Sequence, residues 1–140
     1  PVQPAFETNG ATSFIVPNSS WAALIFNTFQ YHSGNLYNTT TGPTTAPSGG
    51  AGKYDVICSG GFAADADGAR IVRIVKNNTT VVAYTRDPTS SASYGTHVQT
   101  SDIVNLEVGD TVRCEYFHDS GAAMALDTYP YTKMVMSKRL

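Results

Sequence analysis

The sequence predicts an all-β sandwich of antiparallel strands, and three observations predict it. Charged residues make up only 14% of the chain, with Thr, Ser, Asn and Gly in their place, the vocabulary of strand edges and turns. Runs of β-branched and aromatic residues recur at short, even intervals between Gly-, Pro- and Asn-rich breaks, the spacing of a sandwich or barrel. Asn77-Asn78 separates two such runs, Arg70 to Lys76 and Val81 to Tyr84, and both asparagines tolerate the positive φ of a two-residue hairpin turn. With 140 residues and 41% hydrophobic content, the chain has material for one sizeable core and one domain.

Pro1 to Gly10 carry Pro, Gln, Thr, Asn and Gly without periodicity, so residues 1–10 read as an arm or linker and 11–140 as the folded domain. Thr12 to Val16 and Trp21 to Tyr31 read as strands. In the second, Trp21, Ala23, Ile25, Asn27 and Phe29 fall on one face and Ala22, Leu24, Phe26 and Thr28 on the other. Both faces are largely apolar, which calls for cover on both and hints at a neighbouring subunit. Tyr37-Asn38, Thr41-Gly42, Ala46-Pro47 and Gly52 then punctuate the approach to the apolar run Tyr54 to Cys58. Asn and Gly accept left-handed backbone there, and Pro is barred from a central ladder. Further strands are expected over Arg70 to Lys76, Val81 to Tyr84, Thr96 to Leu106, Thr111 to Phe117 and Thr132 to Met136. Pro43 to Gly52, Asp87 to Gly95 and Asp119 to Pro130 are rich in small and polar residues with Gly and Pro, and are expected as loops.

The order Tyr-Asn-x-x-Thr-Gly-x-x-x-Ala-Pro with a following Gly-x-Tyr over 37–54, Val75-Lys76-Asn77 closing a strand, and Leu106-x-x-Gly109-Asp110-x-Val112 resemble the C1q/TNF-like domains. The resemblance runs from about Thr12 to the end of the chain. It departs from the family at Thr44, where an aromatic is usual, in the longer Ser48 to Ala51, at Val56 in place of Phe, and in the loose match of Tyr129 to Met136 to the closing aromatic strand. It implies an antiparallel jelly-roll sandwich that assembles as a homotrimer and binds other molecules. In Thr111 to Phe117, Val112, Cys114 and Tyr116 share one face, and Arg113, Glu115 and Phe117 share the other. The first is expected in the core. The resemblance implies that the second lines a three-fold axis, with Phe117 stacking on its copies and Arg113 pairing with Glu115 of a neighbour; an ordinary solvated face is the other reading. The resemblance also sets the Tyr54 to Cys58 strand beside Thr111 to Phe117, with Cys58 and Cys114 both pointing inward. Two buried free thiols are expected there, a bridge being the alternative.

A net charge of -2 supplies no field to attract nucleic acid or anionic lipid, so neither is expected as a partner. No apolar stretch approaches the ~18 residues of a membrane-crossing helix. Pro1-Val2-Gln3-Pro4 lacks the charged and apolar regions of a signal peptide, although a mature secreted protein or a piece of a longer fibre reads the same way. Asp65 and Asp67, in Ala-Asp-Ala-Asp-Gly, are candidate calcium ligands because alternate carboxylates converge on a hard cation. The spacing stops after two, an Asp-Gly turn accounts for it, and no cofactor is expected. His118, Asp119 and Ser120 are the residue types of a hydrolase triad, but chain neighbours point apart. His32 and His97 stand alone, and the chain has no Gly-x-Ser-x-Gly elbow or phosphate loop, so no enzymatic activity is expected. Asn18, Asn38, Asn77 and Asn78 each head a glycosylation acceptor, which matters only on a secretory route.

The resemblance implies ligand or host recognition by a trimeric knob, and the missing signal peptide, low charge, Ser/Thr/Asn/Gly-laden loops and N-terminal arm favour its setting as a head domain at a virion surface or phage appendage that recognises a host receptor or glycan. Tyr84, Tyr94, Tyr129 and Tyr131 are the candidate ligand-binding residues, since rings stack on pyranose faces while nearby amides and carboxylates bond to hydroxyls. Two other roles fit the same residues. One is a capsid decoration or cementing protein whose partners are other virion proteins; the other is an extracellular C1q-like lectin or cytokine, which a Cys58–Cys114 bridge would favour.

Overall fold

The computed structural model describes residues 4–11, 15–34, 36–37, 44–87 and 93–140. Among them the secondary structure is entirely β, in the order β1 (Ala5–Ala11), β2 (Ile15–Val16), β3 (Ala22–Ala23), β4 (Phe26–Ser33), β5 (Thr44–Thr45), β6 (Gly52–Phe62), β7 (Arg70–Lys76), β8 (Thr80–Asp87), β9 (Thr96–Leu106), β10 (Thr111–His118), β11 (Met124–Ala125) and β12 (Lys133–Lys138). One sheet runs β4-β1-β12-β6-β9 and the other β3-β10-β7-β8, with β5 also on β10; β11 and β2 form a short pair. Every strand pairing among the described residues is antiparallel.

Alternation builds the core between the two sheets. From β6 come Tyr54, Val56 and Cys58, from β10 Val112, Cys114 and Tyr116, from β12 Met134 and Met136, and from β7 Val72 and Ile74, all at most 2% exposed. The expected parity of the Thr111 to Phe117 strand therefore holds. Its expected neighbour does not: β6 pairs with β12 and β9, whereas β10 pairs with β7, β3 and β5. The two strands face each other across the sandwich rather than lying side by side. That opposition brings the inward thiols together, and Cys58 and Cys114 form a disulfide with Cα atoms 5.7 Å apart, in place of two free thiols. It ties one sheet to the other through the centre of the core.

The segment expected as an arm is part of the sandwich. From Ala5 onward it is β1, hydrogen-bonded on both sides, to β12 and β4, and Phe6 is 1% exposed. Its lack of periodicity has a physical source, since the pairing of β1 with β4 shifts register three times between Glu7 and Ala11, and each irregularity breaks strict alternation. Trp21 to Tyr31 is likewise two strands rather than one. β3 belongs to one sheet and β4 to the other, and the chain crosses between them at Leu24-Ile25. Leu24 and Phe26 are buried while Ala23, Asn27 and Thr28 are exposed, so only one side of the run needs cover.

The remaining strands match closely. Arg70 to Lys76 and Thr96 to Leu106 are observed with the expected bounds. Asn77 and Asn78 take φ of 53° and 62° between β7 and β8, the backbone that the hairpin required. The loops expected at Pro43 to Gly52 and Asp119 to Pro130 contain β5 and β11; residues 12–14, Asn38, Thr41, Gly42 and residues 88–92 lie outside the described residues. The motif residues knit one end of the sandwich. Ala46 donates its N–H to Asp110 O and accepts through its own carbonyl from Gly109 N–H, while Asn77 bonds Asp110 and the Thr111 N–H through its side chain. Pro4 and Arg139 are at the same end, bonded to Lys138 and Lys53. The opposite end carries Phe62 and Thr96, paired at the limits of β6 and β9, with Arg70 and His118 paired at the limits of β7 and β10.

Candidate functional site

The end remote from Pro4 and Arg139 holds three of the four candidate tyrosines. Tyr94 precedes β9 and is 76% exposed, and Tyr131 is 55% exposed just before β12. Tyr131 sets its ring edge-on against His97, with centroids 6.4 Å apart, so His97, which in sequence stands alone, is half of an aromatic pair. Tyr129 is held inward. Its hydroxyl donates to Glu7 Oε2 at 3.1 Å, and Lys133 bonds the same oxygen at 3.1 Å. Loss of hydration and the Glu7 carboxylate push the Tyr129 phenol above its usual range. Tyr84 is elsewhere. It is 67% exposed on the edge strand β8, opposite Arg73 of β7.

The outer face of the second sheet carries Arg113, Glu115 and Phe117. Glu115 is only 4% exposed, and each of its oxygens serves one guanidinium. Oε1 accepts from Arg73 Nε at 2.8 Å and Nη2 at 2.6 Å, and Oε2 from Arg113 Nε at 2.7 Å. The Arg113–Glu115 pair expected between neighbouring subunits thus closes within one chain, because the residues sit two apart on one face of one strand. Arg73 also lies 3.5 Å from the centroid of the Trp21 ring, a cation–π contact, and Trp21 packs on Phe117 at 5.1 Å. Trp21 and Arg73 were legible only as strand residues; nothing in the linear pattern brings 21, 73, 115 and 117 together.

The opposite face, on the first sheet, carries aliphatic groups. Val135 of β12 is paired with Ile57 of β6, and Ile103 of β9 with Asp55 of β6. These aliphatic side chains point away from the core, and Ile103 is 45% exposed. A shallow depression of about 470 Å³ lies between Asp55, Ile57, Ser101, Asp102 and Ile103.

Asp65 and Asp67 form a turn. Asp65 Oδ1 accepts the Asp67 N–H at 2.9 Å, while the carbonyls of Asp65 and Asp67 accept from the fully buried Arg70 guanidinium at 3.1 and 2.8 Å. A protein cation occupies the inside of this loop. Among the described residues no group of three His, Cys, Asp or Glu side chains is placed to hold a metal.

His118 and Ser120 do meet, contrary to the expectation that chain neighbours point apart, because Ser120 lies beyond the strand in a turn. His118 Nε2 is 2.7 Å from Val16 O, which can only accept, so that nitrogen carries the proton and Nδ1 accepts from Ser120 Oγ at 3.0 Å. Asp119 is turned to another task, taking the Ala69 N–H at 2.6 Å. His118 is 0% exposed and both of its ring nitrogens are committed to Val16 and Ser120, so the arrangement pins β2 to β10.

The comparisons with known proteins agree with this architecture. No family model matches the chain, and no curated protein matches it in sequence. Solved structures do match in shape. The globular domain of zebrafish complement 1qA protein superposes with a TM-score of 0.70 at 17% identity, over 98% of this chain and 96% of that one. Murine APRIL, at pH 8.0, gives 0.74 at 11% identity over 99% and 100%. Eiger TNF from S. frugiperda gives 0.70 at 14% identity over 99% and 93%. The fold is a C1q/TNF-like jelly-roll sandwich.

Proposed function

Because the chain folds as a C1q/TNF-like jelly roll, we propose that it is a non-enzymatic, trimeric binding head of a phage appendage or virion surface, recognising a host receptor or glycan. The observation that supports this reading is the gathering of the exposed Tyr94 and Tyr131 at the end of the sandwich away from Pro4. A shaft joined through the N-terminus would hold that end outermost, where loops on a rigid scaffold make contacts. Low charge and polar, Gly-rich loops fit a surface exposed to the medium.

For assembly, the outer face of the first sheet is the better contact between copies. Ile57, Ile103 and Val135 are aliphatic groups that a second copy would remove from water, whereas the charges of Arg113 and Glu115 are already satisfied in one chain. A second copy seated on Phe117 and Trp21 is the competing arrangement. The Cys58–Cys114 bridge favours a second reading, a secreted extracellular lectin or cytokine-like protein, since disulfides persist in oxidising compartments.

The test is to measure the solution mass of the purified protein and its binding to bacterial cells and to isolated virions. A trimer that binds cells supports the receptor-binding head. Binding to particles alone makes it a decoration or cementing protein, and a monomer that binds neither overturns the proposal.

A further inference from the structure

We infer that the exposed side chains of Asp127, Tyr131 and His97 form a binding site for one neutral hexose ring of a glycan, beside Gly95. The inference rests on reading the chain as a recognition head and names the ligand chemistry and the residues. Tyr131 and Asp127 come from the loop between β11 and β12, and His97 from the start of β9 directly opposite Gly61 of β6. A Cβ built on Gly61 would fall 2.8 Å from Asp127 Oδ2 and 2.8 Å from Tyr131 Cβ, so only glycine lets the loop lie this close to the strand. The same carboxylate oxygen is 3.9 Å from the corresponding point on Gly95, where a Cβ would also fall 2.7 Å from Phe62 O. Gly61 is thus buried beneath Asp127 and Tyr131, which its missing side chain lets lie side by side on the strand, and Gly95 is left exposed next to them.

The loop is fixed before any ligand arrives. Asp127 N–H donates to Gly61 O at 2.7 Å, Gly61 N–H donates to Thr132 Oγ1 at 3.1 Å, and Tyr131 N–H donates to Thr128 O at 3.0 Å. Leu126 bridges Phe62 in the adjoining ladder position. Such preorganisation lowers the ordering cost of binding. Asp127 uses its backbone in these bonds; its side chain is exposed, and no described residue takes its carboxylate. Glu7 differs, since Tyr129 and Lys133 already engage it.

An exposed ring beside an open carboxylate matches the two faces of a sugar. The apolar C–H face of a pyranose packs on a flat aromatic ring, and two adjacent hydroxyls donate to the two oxygens of a carboxylate. The free negative charge disfavours an acidic sugar at the same place, which makes the class neutral.

The experiment is titration of the isotope-labelled protein with methyl α-D-mannopyranoside, methyl α-D-glucopyranoside and methyl β-D-galactopyranoside, followed by amide NMR. The α-methyl glycoside of N-acetylneuraminic acid is the acidic comparison. At least one neutral glycoside should shift the amides of Gly61, Gly95, His97, Asp127 and Tyr131. Asp127→Asn should weaken that binding about tenfold, the loss of a charged hydrogen bond, and Tyr131→Ala should remove it, with the rest of the spectrum unchanged to show an intact fold. Absence of shifts at these amides with all three neutral sugars, or equal binding by Asp127→Asn, overturns the site. Cell binding by Asp127→Asn separates the two readings. If it equals that of the parent protein, the head stands and this site falls; if sugars bind here while cells and virions are ignored, the site stands and the receptor role falls.

Discussion

The Tyr37 hydroxyl accepts the Phe26 N–H at 2.9 Å and donates to Leu24 O at 3.5 Å, which places one phenol at the point where the chain leaves the sheet of β3 for that of β4. Leu24-Ile25 lie between the two strands, and at this crossing a side chain takes the place of a backbone partner. Its ring is packed against Phe6, Phe26 and Phe29. Tyr37→Phe keeps the packing and leaves the Phe26 N–H without its acceptor, and should cost about 1–3 kcal/mol, read as a lower urea midpoint at unchanged slope. Burial also pushes the Tyr37 phenol up to about 12. A raised folded-state value means that the unfolded chain ionises first, so stability is complete below pH 10 and is lost as pH rises toward about 12. The Tyr37→Phe variant should lose less stability than the parent across that interval.

The Cys58–Cys114 bridge spans 56 residues of sequence and joins the two central strands of opposed sheets. Closing a loop of that length restricts the unfolded chain by about 4 kcal/mol in the entropic account. The double variant Cys58→Ala, Cys114→Ala should unfold at a markedly lower temperature than the parent, and peptide mapping without reductant should recover the two cysteines as one linked species.

How far the sequence carried the fold depended on the range over which each feature is determined. The Asn77-Asn78 hairpin and the long strands β7 and β9 are local, set by propensity and turn chemistry within a dozen residues, and were legible. β1 was not, because a bulged strand loses alternation and looks like a linker until β12 and β4 are seen to pair with it. The β3–β4 break was hidden because Leu24-Ile25 are as apolar as the strands on either side. Pairing of β6 and β10 across the core, and hence the disulfide, is a long-range fact that strand parity alone cannot decide. The candidate site was half legible: exposed tyrosines could be named, but Tyr84 and Tyr131 sit in different parts of the sandwich, and Asp127 and His97 gain meaning only when Gly61 brings their elements together.

Asp110 should make the motif end of the sandwich acid-sensitive. The Glu107 N–H, the Asn77 side chain and Lys76 hold its carboxyl below the ordinary 3.8. A depressed folded-state value means that the contribution is present above the unfolded value and fades as pH falls below it. Amide exchange of Glu107, whose N–H the carboxylate accepts, should accelerate below about pH 4 beyond the intrinsic trend, and Asp110→Asn should show the faster exchange already at neutral pH.

Glu115 holds two arginines in its own chain, and its removal should act on the fold rather than on assembly. Glu115→Ala leaves Arg73 and Arg113 as diagonal neighbours on β7 and β10 with no carboxylate between them. With 24% and 31% of their side-chain surface still in water, the cost should be about 1–3 kcal/mol rather than that of a fully buried pair. Urea unfolding should show the loss while sedimentation shows the parent's oligomeric state. Dissociation without loss of stability would instead mean that this carboxylate reaches a neighbour.

The proposed assembly turns on which sheet meets its copies. If copies pack on β12, β6 and β9, Ile103→Lys puts an ammonium on the edge strand β9 within each contact, at a residue that is 45% exposed in one chain and therefore costs the isolated fold little. The variant should sediment as a monomer with the parent's circular dichroism and a nearly unchanged urea midpoint for the single chain. Phe117→Asp is the matching change on the other sheet, removing the ring that packs on Trp21 at 5.1 Å. It should lower stability and leave the trimer intact. The reverse outcome, an intact trimer from Ile103→Lys and monomers from Phe117→Asp, moves the three-fold contact to the Trp21–Phe117 face, because a charge buried between subunits without a partner is not tolerated.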